Sequence, residues 1–281
     1  MVNFNGTIIS EDTSFFNHRN RGFRFGDALY ETLRIVNGKI YFIEDHYFTL
    51  MASIRIVRME IPMDFTLEFF ESEILKTVEA NSLSNATAEV KFTVFRSEGG
   101  HYEPKTNNID YVVEACPIDS NFFIIDKKNY EVELFKDYFV NGDMLSNLET
   151  TNKTINVIAA VFAKENNYSD CLLLNHDKKV VSAINGNLFL IKDNLIKTPP
   201  LNDGCLNAVL RKKMIEIIEK HPDYDIVEES ISPFELQKAD ELFIGNINRG
   251  IQPITKYRKK EFEMNVAQNL VGKLNAKARL G

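Results

Sequence analysis

The chain has 281 residues, 44% hydrophobic and 26% charged, enough to bury a sizeable core in one large domain or two ordinary ones. A net charge of −7 and a pI near 5.4 argue against nucleic acid as a partner, because a phosphate-binding surface presents a basic face. The opening Met1-Val2-Asn3-Phe4-Asn5-Gly6 has no basic segment followed by an apolar one, and no stretch approaches the ~18 apolar residues of a membrane span, so a cytoplasmic protein without a membrane partner is expected.

In chain order, the first third mixes helices and strands. Leu67, Phe70, Ile74 and Val78 recur at three- and four-residue intervals after Thr66, a residue suited to cap a helix, and predict an amphipathic helix. Val90, Phe92 and Val94 alternate with Lys91 and Thr93 and predict a strand with one buried face. A second β-branched run, Ile109 to Ala115, predicts another. Cys116-Pro117-Ile118-Asp119-Ser120-Asn121 then breaks the periodicity and is expected to open a linker, roughly 116–127, with the domain boundary near 122.

Beyond it the pattern predicts a helix from about 153 to 166, and strands at Cys171–Asn175 and Val180–Ala183. A hairpin follows in which Asp193-Asn194 turns between Leu188–Ile191 and Leu195–Thr198. A helix is expected over Leu206–Lys220, and Ser232-Pro233-Phe234-Glu235 combines a capping serine, a first-turn proline and an acid three positions on, a strong helix start. Leu242–Gly245 reads as a strand. Cys116, Cys171 and Cys205 are far apart, and the five histidines show no ligand-like spacing, so neither disulfides nor a metal site is expected.

Several blocks resemble one family in family order. Arg21-Gly22-Phe23-Arg24-Phe25-Gly26-Asp27-Ala28-Leu29-Tyr30-Glu31-Thr32-Leu33-Arg34, then Gly38-Lys39-Ile40 and Glu44-Asp45-His46, are similar to the N-terminal block of the class IV pyridoxal-phosphate aminotransferases. That family includes D-amino-acid and branched-chain aminotransferases and aminodeoxychorismate lyases. Asn187-Leu188-Phe189, Thr198-Pro199-Pro200, Leu206-Asn207-Ala208-Val209-Leu210-Arg211, Ala239-Asp240-Glu241-Leu242-Phe243 and Ile251-Gln252-Pro253-Ile254 continue the resemblance. It implies the two-domain α+β / α/β fold of that family, with a small N-terminal α+β domain over 1–121 and a larger domain over 122–281. It also implies a pocket between them, pyridoxal phosphate as cofactor, an amino acid or keto acid as ligand, and a homodimer whose pocket borrows a partner loop.

In the resembling enzymes a lysine forms the imine with the cofactor, an acid protonates its pyridine nitrogen, and an arginine and a helix N-terminus hold its phosphate. Here the lysine of the K-x-x-N motif reads as Glu149 of Glu149-Thr150-Thr151-Asn152, and a glutamate cannot form an imine. The family acid lies five residues before the Asn of the N-x-F strand, which gives Ser182. Glu149 stands 33 positions before Ser182, matching the family's spacing in the low thirties, whereas Lys153 stands only 29 before it. The phosphate arginine of D-H-x-x-R-L reads as Thr49 in Asp45-His46-Tyr47-Phe48-Thr49-Leu50. The backbone N–H groups at Val209 and Leu210 require no particular side chain and are expected to survive as the helix part of the phosphate site.

Tyr30, Arg96 and His101 fall where relatives build a carboxylate pocket. Arg96 could instead pair with an acid on its sheet, His101 could cap a loop, and Tyr30 could be core packing. The expected function is therefore that of a class IV family protein with an altered cofactor site and little or no standard transamination. The alternative is an active pyridoxal-phosphate enzyme using Lys153, which would lie one turn from Glu149 if a helix spans both, either reaching the pocket or forming a surface ion pair with it.

Overall fold

In the computed structural model, which describes residues 1–280, the chain falls into two units: Met1–Asn121 with Glu149–Asn152, and Phe122–Leu148 with Lys153–Leu280. The first unit contains β1 (Val2–Phe4), β2 (Thr7–Ile9), α1 (Arg21–Phe25), β3 (Ala28–Val36), β4 (Lys39–Ile40), α2 (Ile43–Ile56), α3 (Leu67–Ala80), β5 (Thr87–Arg96) and β6 (Ile109–Pro117). Its strands make one antiparallel sheet in the order β2-β1-β6-β5-β3-β4.

Strand alternation gives this sheet two unlike faces. Leu29, Leu33 and Ile35 of β3 and Val90, Phe92 and Val94 of β5 are buried, while Tyr30, Thr32, Lys91 and Thr93, which alternate with them, are half-buried. The helix predicted from Leu67 forms as α3, with Thr66 Oγ1 accepting from Phe69 N–H at 3.2 Å and Phe70, Ile74 and Val78 buried. Phe92 anchors the helix side, its ring centroid 4.8 Å from that of Phe70 and 5.2 Å from that of Tyr111.

The linker expected from residue 116 begins later. Glu89 pairs with Cys116 and Ala88 with Pro117, so β6 runs on to Pro117. A proline lacks the N–H to extend a ladder but can sit at the end of one.

The second unit contains β7 (Glu131–Leu134), α4 (Thr154–Glu165), β8 (Asp170–Leu174), β9 (Val180–Ala183), β10 (Asn187–Lys192), β11 (Leu195–Thr198), α5 (Val209–Glu219), β12 (Asp225–Glu228), α6 (Pro233–Leu236), β13 (Glu241–Asn246), β14 (Gly250–Ile254), β15 (Lys256–Tyr257), β16 (Lys260–Glu261) and α7 (Asn265–Leu280). Two five-stranded sheets result, β12-β11-β10-β13-β14 and β16-β15-β7-β8-β9. Leu172 and Leu174 enter the core shared with Leu188, Leu190, Leu242 and Ile244, while Cys171 and Leu173 enter a second core with Ala159 and Ala163 of α4. Both faces of β8 are thus covered, which is why it reads as an unbroken apolar run.

The helix expected from Leu206 starts three residues later, at Val209. Asn207 N–H is spent on Asn147 O at 3.0 Å, and Ala208 is extended at φ −68°, ψ 149° as the residue that caps α5.

Candidate functional site

Of the residues that the sequence singles out in the first unit, Tyr30 lies on β3 and Glu149 beside it. β4 pairs only with Ile35 and Val36, so the edge of β3 near Ala28 is open to another segment. Glu149–Thr151 takes it: Tyr30 N–H donates to Glu149 O at 2.8 Å, Thr151 N–H donates to Ala28 O at 3.1 Å, and Leu29 bridges Thr150 antiparallel. Gly26 makes this approach possible. It has φ +65°, and a Cβ there would lie 2.2 Å from Asn152 Oδ1, the asparagine of the Glu149-x-x-Asn152 block.

This pairing places Glu149 beside Tyr30, and the Glu149 carboxylate accepts a hydrogen bond from the Tyr30 hydroxyl. Burial first, then the adjacent Glu149 charge, holds the Tyr30 phenol well above the usual range. The other side of the Tyr30 ring environment is cationic. Thr32 is directly opposite Lys91 across the β3–β5 ladder, and from that diagonal position Lys91 Nζ reaches over the Tyr30 ring, 4.3 Å from its centroid.

On the opposite face of β3, Glu31 and His46 form a buried pair, Oε2 to Nδ1 2.7 Å, that ties α2 to the sheet. Thr49, one turn further along α2, is half-buried, and its carbonyl accepts from Ser53 Oγ at 2.8 Å.

Arg96 and the loop that carries His101 are brought into one hydrogen-bond network. Asp27 Oδ2 accepts from Arg21 Nε at 2.7 Å and from Arg96 Nε at 3.0 Å. Arg96 also donates to the carbonyls of Arg58 (3.0 Å) and Val57 (2.8 Å) and to Asn107 Oδ1 (2.5 Å). Arg21 Nη1 donates to Gly99 O (2.9 Å) and His101 O (2.6 Å), so it fastens the loop that carries His101. The His101 ring is exposed and packs edge-on against Tyr102, centroids 4.3 Å apart.

In the second unit Ser182 is buried on β9, opposite Leu173. Asn187 Nδ2 donates to Leu206 O at 2.8 Å, which directs the chain into α5. The start of α5 has no side-chain cap, and the N–H groups of Val209 and Leu210 open it. Arg211 fastens the Thr198-Pro199-Pro200 block by donating to Pro199 O (2.8 Å) and Glu228 Oε2 (2.6 Å).

No helical turn joins Glu149 to Lys153. Glu149 is in the bridged segment on β3, and α4 begins only at Thr154, with Lys153 as the residue before it. Residues 149–151 are spent on strand hydrogen bonds, so the condition of a helix spanning both is not met. Lys91 was missed in the sequence reading: its only signal was alternation, and its place at Tyr30 depends on the register between two strands.

Comparison with known proteins agrees with this arrangement of blocks. A sequence model described as amino-transferase class IV matches residues 28–257. The chain belongs to the class IV aminotransferase family. Among curated relatives of the family, a D-alanine aminotransferase of Staphylococcus epidermidis is 24% identical over 258 residues, covering 91% of this chain and 88% of the relative. One from Bacillus licheniformis is 24% identical, covering 90% and 87%. Among solved structures, the branched-chain aminotransferase of Thermoproteus uzoniensis superposes with a TM-score of 0.87 at 21% identity, covering 98% of this chain and 93% of that one. The 4-amino-4-deoxychorismate lyase of Pseudomonas aeruginosa gives 0.81 at 22%, covering 98% and 97%. The mixed α/β architecture of class IV aminotransferases is therefore the fold of this chain.

Tyr30, Tyr111 and Tyr130 share one device, each donating to a carboxylate: Glu149, Glu73 (3.0 Å) and Asp170 (3.1 Å). All three phenols are pushed up, by burial first and then by these acids. A folded-state value raised above the unfolded one contributes stability that is present below the unfolded phenol value, about pH 10, and is lost as pH rises beyond it. Stability by urea unfolding is expected to be insensitive to these tyrosines up to about pH 10 and to fall steeply above it. Phenolate absorbance from these three should appear only with unfolding; their early ionisation in the folded protein would contradict it.

Proposed function

We propose that this member of the class IV aminotransferase family has little or no standard transamination, and keeps its small-molecule site as a binding or partner module. The observation that carries this is the engagement of Glu149 with Tyr30 through both its carbonyl and its carboxylate, taken with the sequence register that assigns Glu149 to the family's lysine position. A carboxylate cannot condense with an aldehyde, and an acceptor-only side chain beside a bound phosphate ester adds repulsion.

The other anchoring residues do not fit pyridoxal phosphate either. Thr49 brings no cation to a phosphate, and Ser182 brings no acid to a pyridine nitrogen. Each charge-assisted hydrogen bond so lost is worth ~1.5–3 kcal/mol, so affinity falls by orders of magnitude. The open N–H groups of Val209 and Leu210 are the part of such a site that persists. The alternative is an enzyme using Lys153, which precedes α4 and shares no helical turn with Glu149.

The ligand class taken over from relatives is an amino acid or keto acid. A homodimer is supported by α4, whose outer face exposes Val157 (60%), Ile158 (37%) and Val161 (51%), an apolar stripe of the sort that a second protein surface covers. Sedimentation equilibrium is expected to give twice the chain mass; a monomer at micromolar concentration would contradict it. Among the described residues no helix is long and apolar enough to cross a membrane. For the cofactor, a titration with pyridoxal phosphate followed by absorbance should show no imine band and only weak binding by dialysis; a saturable imine band would overturn the proposal.

A further inference from the structure

The sequence contains four Asn-Gly pairs, Asn5-Gly6, Asn37-Gly38, Asn141-Gly142 and Asn185-Gly186. Such a pair is chemically labile, because glycine has no Cβ to screen its amide nitrogen from the carboxamide that precedes it. How fast it reacts depends on how the fold holds the two groups. Asn5 is held at both side-chain atoms, Nδ2 donating to Asp110 Oδ1 at 2.8 Å and Oδ1 accepting from Tyr111 N–H at 2.8 Å, while Gly6 N–H is spent on Asn3 Oδ1 at 3.0 Å. Asn185 Nδ2 donates to Asp170 Oδ2 at 3.1 Å, and its carbonyl accepts from Asn246 Nδ2 at 2.9 Å. Asn37 and Gly38, at φ +49° and +77°, form the two-residue turn between β3 and β4, closed by the Val36–Lys39 and Ile35–Ile40 pairs, and Asn37 N–H donates to Ala86 O at 3.0 Å.

The remaining pair is held in none of these ways. Asn141 and Gly142 are both exposed, lie outside any helix or strand, and are not in the left-handed region. Among the described residues neither the Asn141 carboxamide nor the Gly142 N–H has a hydrogen-bond partner.

We propose that Asn141 is a self-modification site, converting to aspartate and isoaspartate while the fold holds back the other three pairs. The Gly142 nitrogen bonds to Asn141 Cγ as the Cγ–Nδ2 bond breaks, and Nδ2 leaves as ammonia with the proton from the Gly142 nitrogen. Water then opens the cyclic imide. Cleavage at Cγ leaves aspartate in an ordinary chain, whereas cleavage at the main-chain carbonyl leaves isoaspartate, with an extra methylene in the backbone. Either product adds a carboxylate two residues before Asp143, whose Oδ1 accepts from Ser146 N–H at 3.1 Å to start the single helical turn Met144–Asn147. A successor that would slow the attack does not fit at position 142, because its Cβ would lie 2.8 Å from the Asn202 carbonyl oxygen.

Incubation of the purified full chain in heavy-oxygen water, in neutral and in mildly alkaline buffer, tests this, with peptide mapping that separates aspartate from isoaspartate. The Asn141 peptide is expected to convert about fivefold or more faster than the Asn5, Asn37 and Asn185 peptides, the slowing that a retained hydrogen bond or a clamped turn imposes. In urea, where the fold holds none of them, all four should convert at similar rates. Asn141→Gln should remove conversion at this position and leave the unfolding midpoint unchanged. Conversion of the folded chain led by another Asn-Gly pair would overturn the proposal, as would an order of conversion that persists unchanged in urea. So would an Asn141 that stays intact in the folded chain over the time in which the unfolded chain converts.

Discussion

Changing Glu149→Lys, Thr49→Arg and Ser182→Glu together is expected to restore tight pyridoxal-phosphate binding and an imine absorbance that the wild-type chain lacks. The three changes return three different interactions. The arginine adds a charge-assisted hydrogen bond worth ~1.5–3 kcal/mol, on the order of ten- to a hundredfold in affinity. The acid permits protonation of the pyridine nitrogen. The lysine supplies the covalent tether, and Lys91 over the neighbouring Tyr30 ring would lower the pKa of the introduced amine by like-charge repulsion, leaving more of it nucleophilic at neutral pH. Glu149→Lys alone should form an imine only at high cofactor concentration. A triple variant that folds normally but forms no imine would contradict the sequence register that assigns these three positions to the cofactor.

Asp27→Ala is expected to be the most destabilising single change in the first unit, by ~3–5 kcal/mol in urea unfolding. It would leave two guanidinium groups, on residues only 3% (Arg21) and 6% (Arg96) exposed, without their shared carboxylate. At ~2–4 °C per kcal/mol for a chain of 150–250 residues, the midpoint should drop by roughly 10 °C. Because Arg21 also holds Gly99 and His101 through their carbonyls, the 99–102 loop should become cleavable by protease at the same time. Asp27→Asn, which keeps one acceptor, should cost clearly less. A change below about 0.5 kcal/mol for Asp27→Ala would mean that Arg96 is free to serve a ligand instead.

Much of this fold could be read from local pattern, and the rest depended on contacts between distant residues. α3 was legible because its cap and its apolar stripe are both local, and β8 because burial on both faces makes a continuous apolar run. α7 gave no local start signal: its first N–H groups, at Val266 and Ala267, are satisfied by Glu241, a carboxylate on β13. α2 likewise begins without a side-chain cap, after Phe42 at φ +55°, a conformation that a bulky residue rarely adopts. The first-turn signal at Ser232 was accurate, with both halves of the capping box formed, yet α6 lasts only one turn because a cap sets where a helix starts and not its length. The register that assigns Glu149, Thr49 and Ser182 to the family's cofactor positions comes from sequence spacing alone. The pairing of Glu149 with Tyr30 was not readable there, since it requires a distant segment to add to the open edge of β3. Lys91 stayed hidden for the same reason.

Reduction of the wild-type protein with borohydride in the presence of pyridoxal phosphate, followed by peptide mass spectrometry, separates a lost imine site from a retained one. No pyridoxyl adduct is expected above the background found on exposed surface lysines, and none that saturates with cofactor. A stoichiometric adduct on Lys153, or on any other single lysine, would show that the chain retains an imine-forming site and would contradict that expectation.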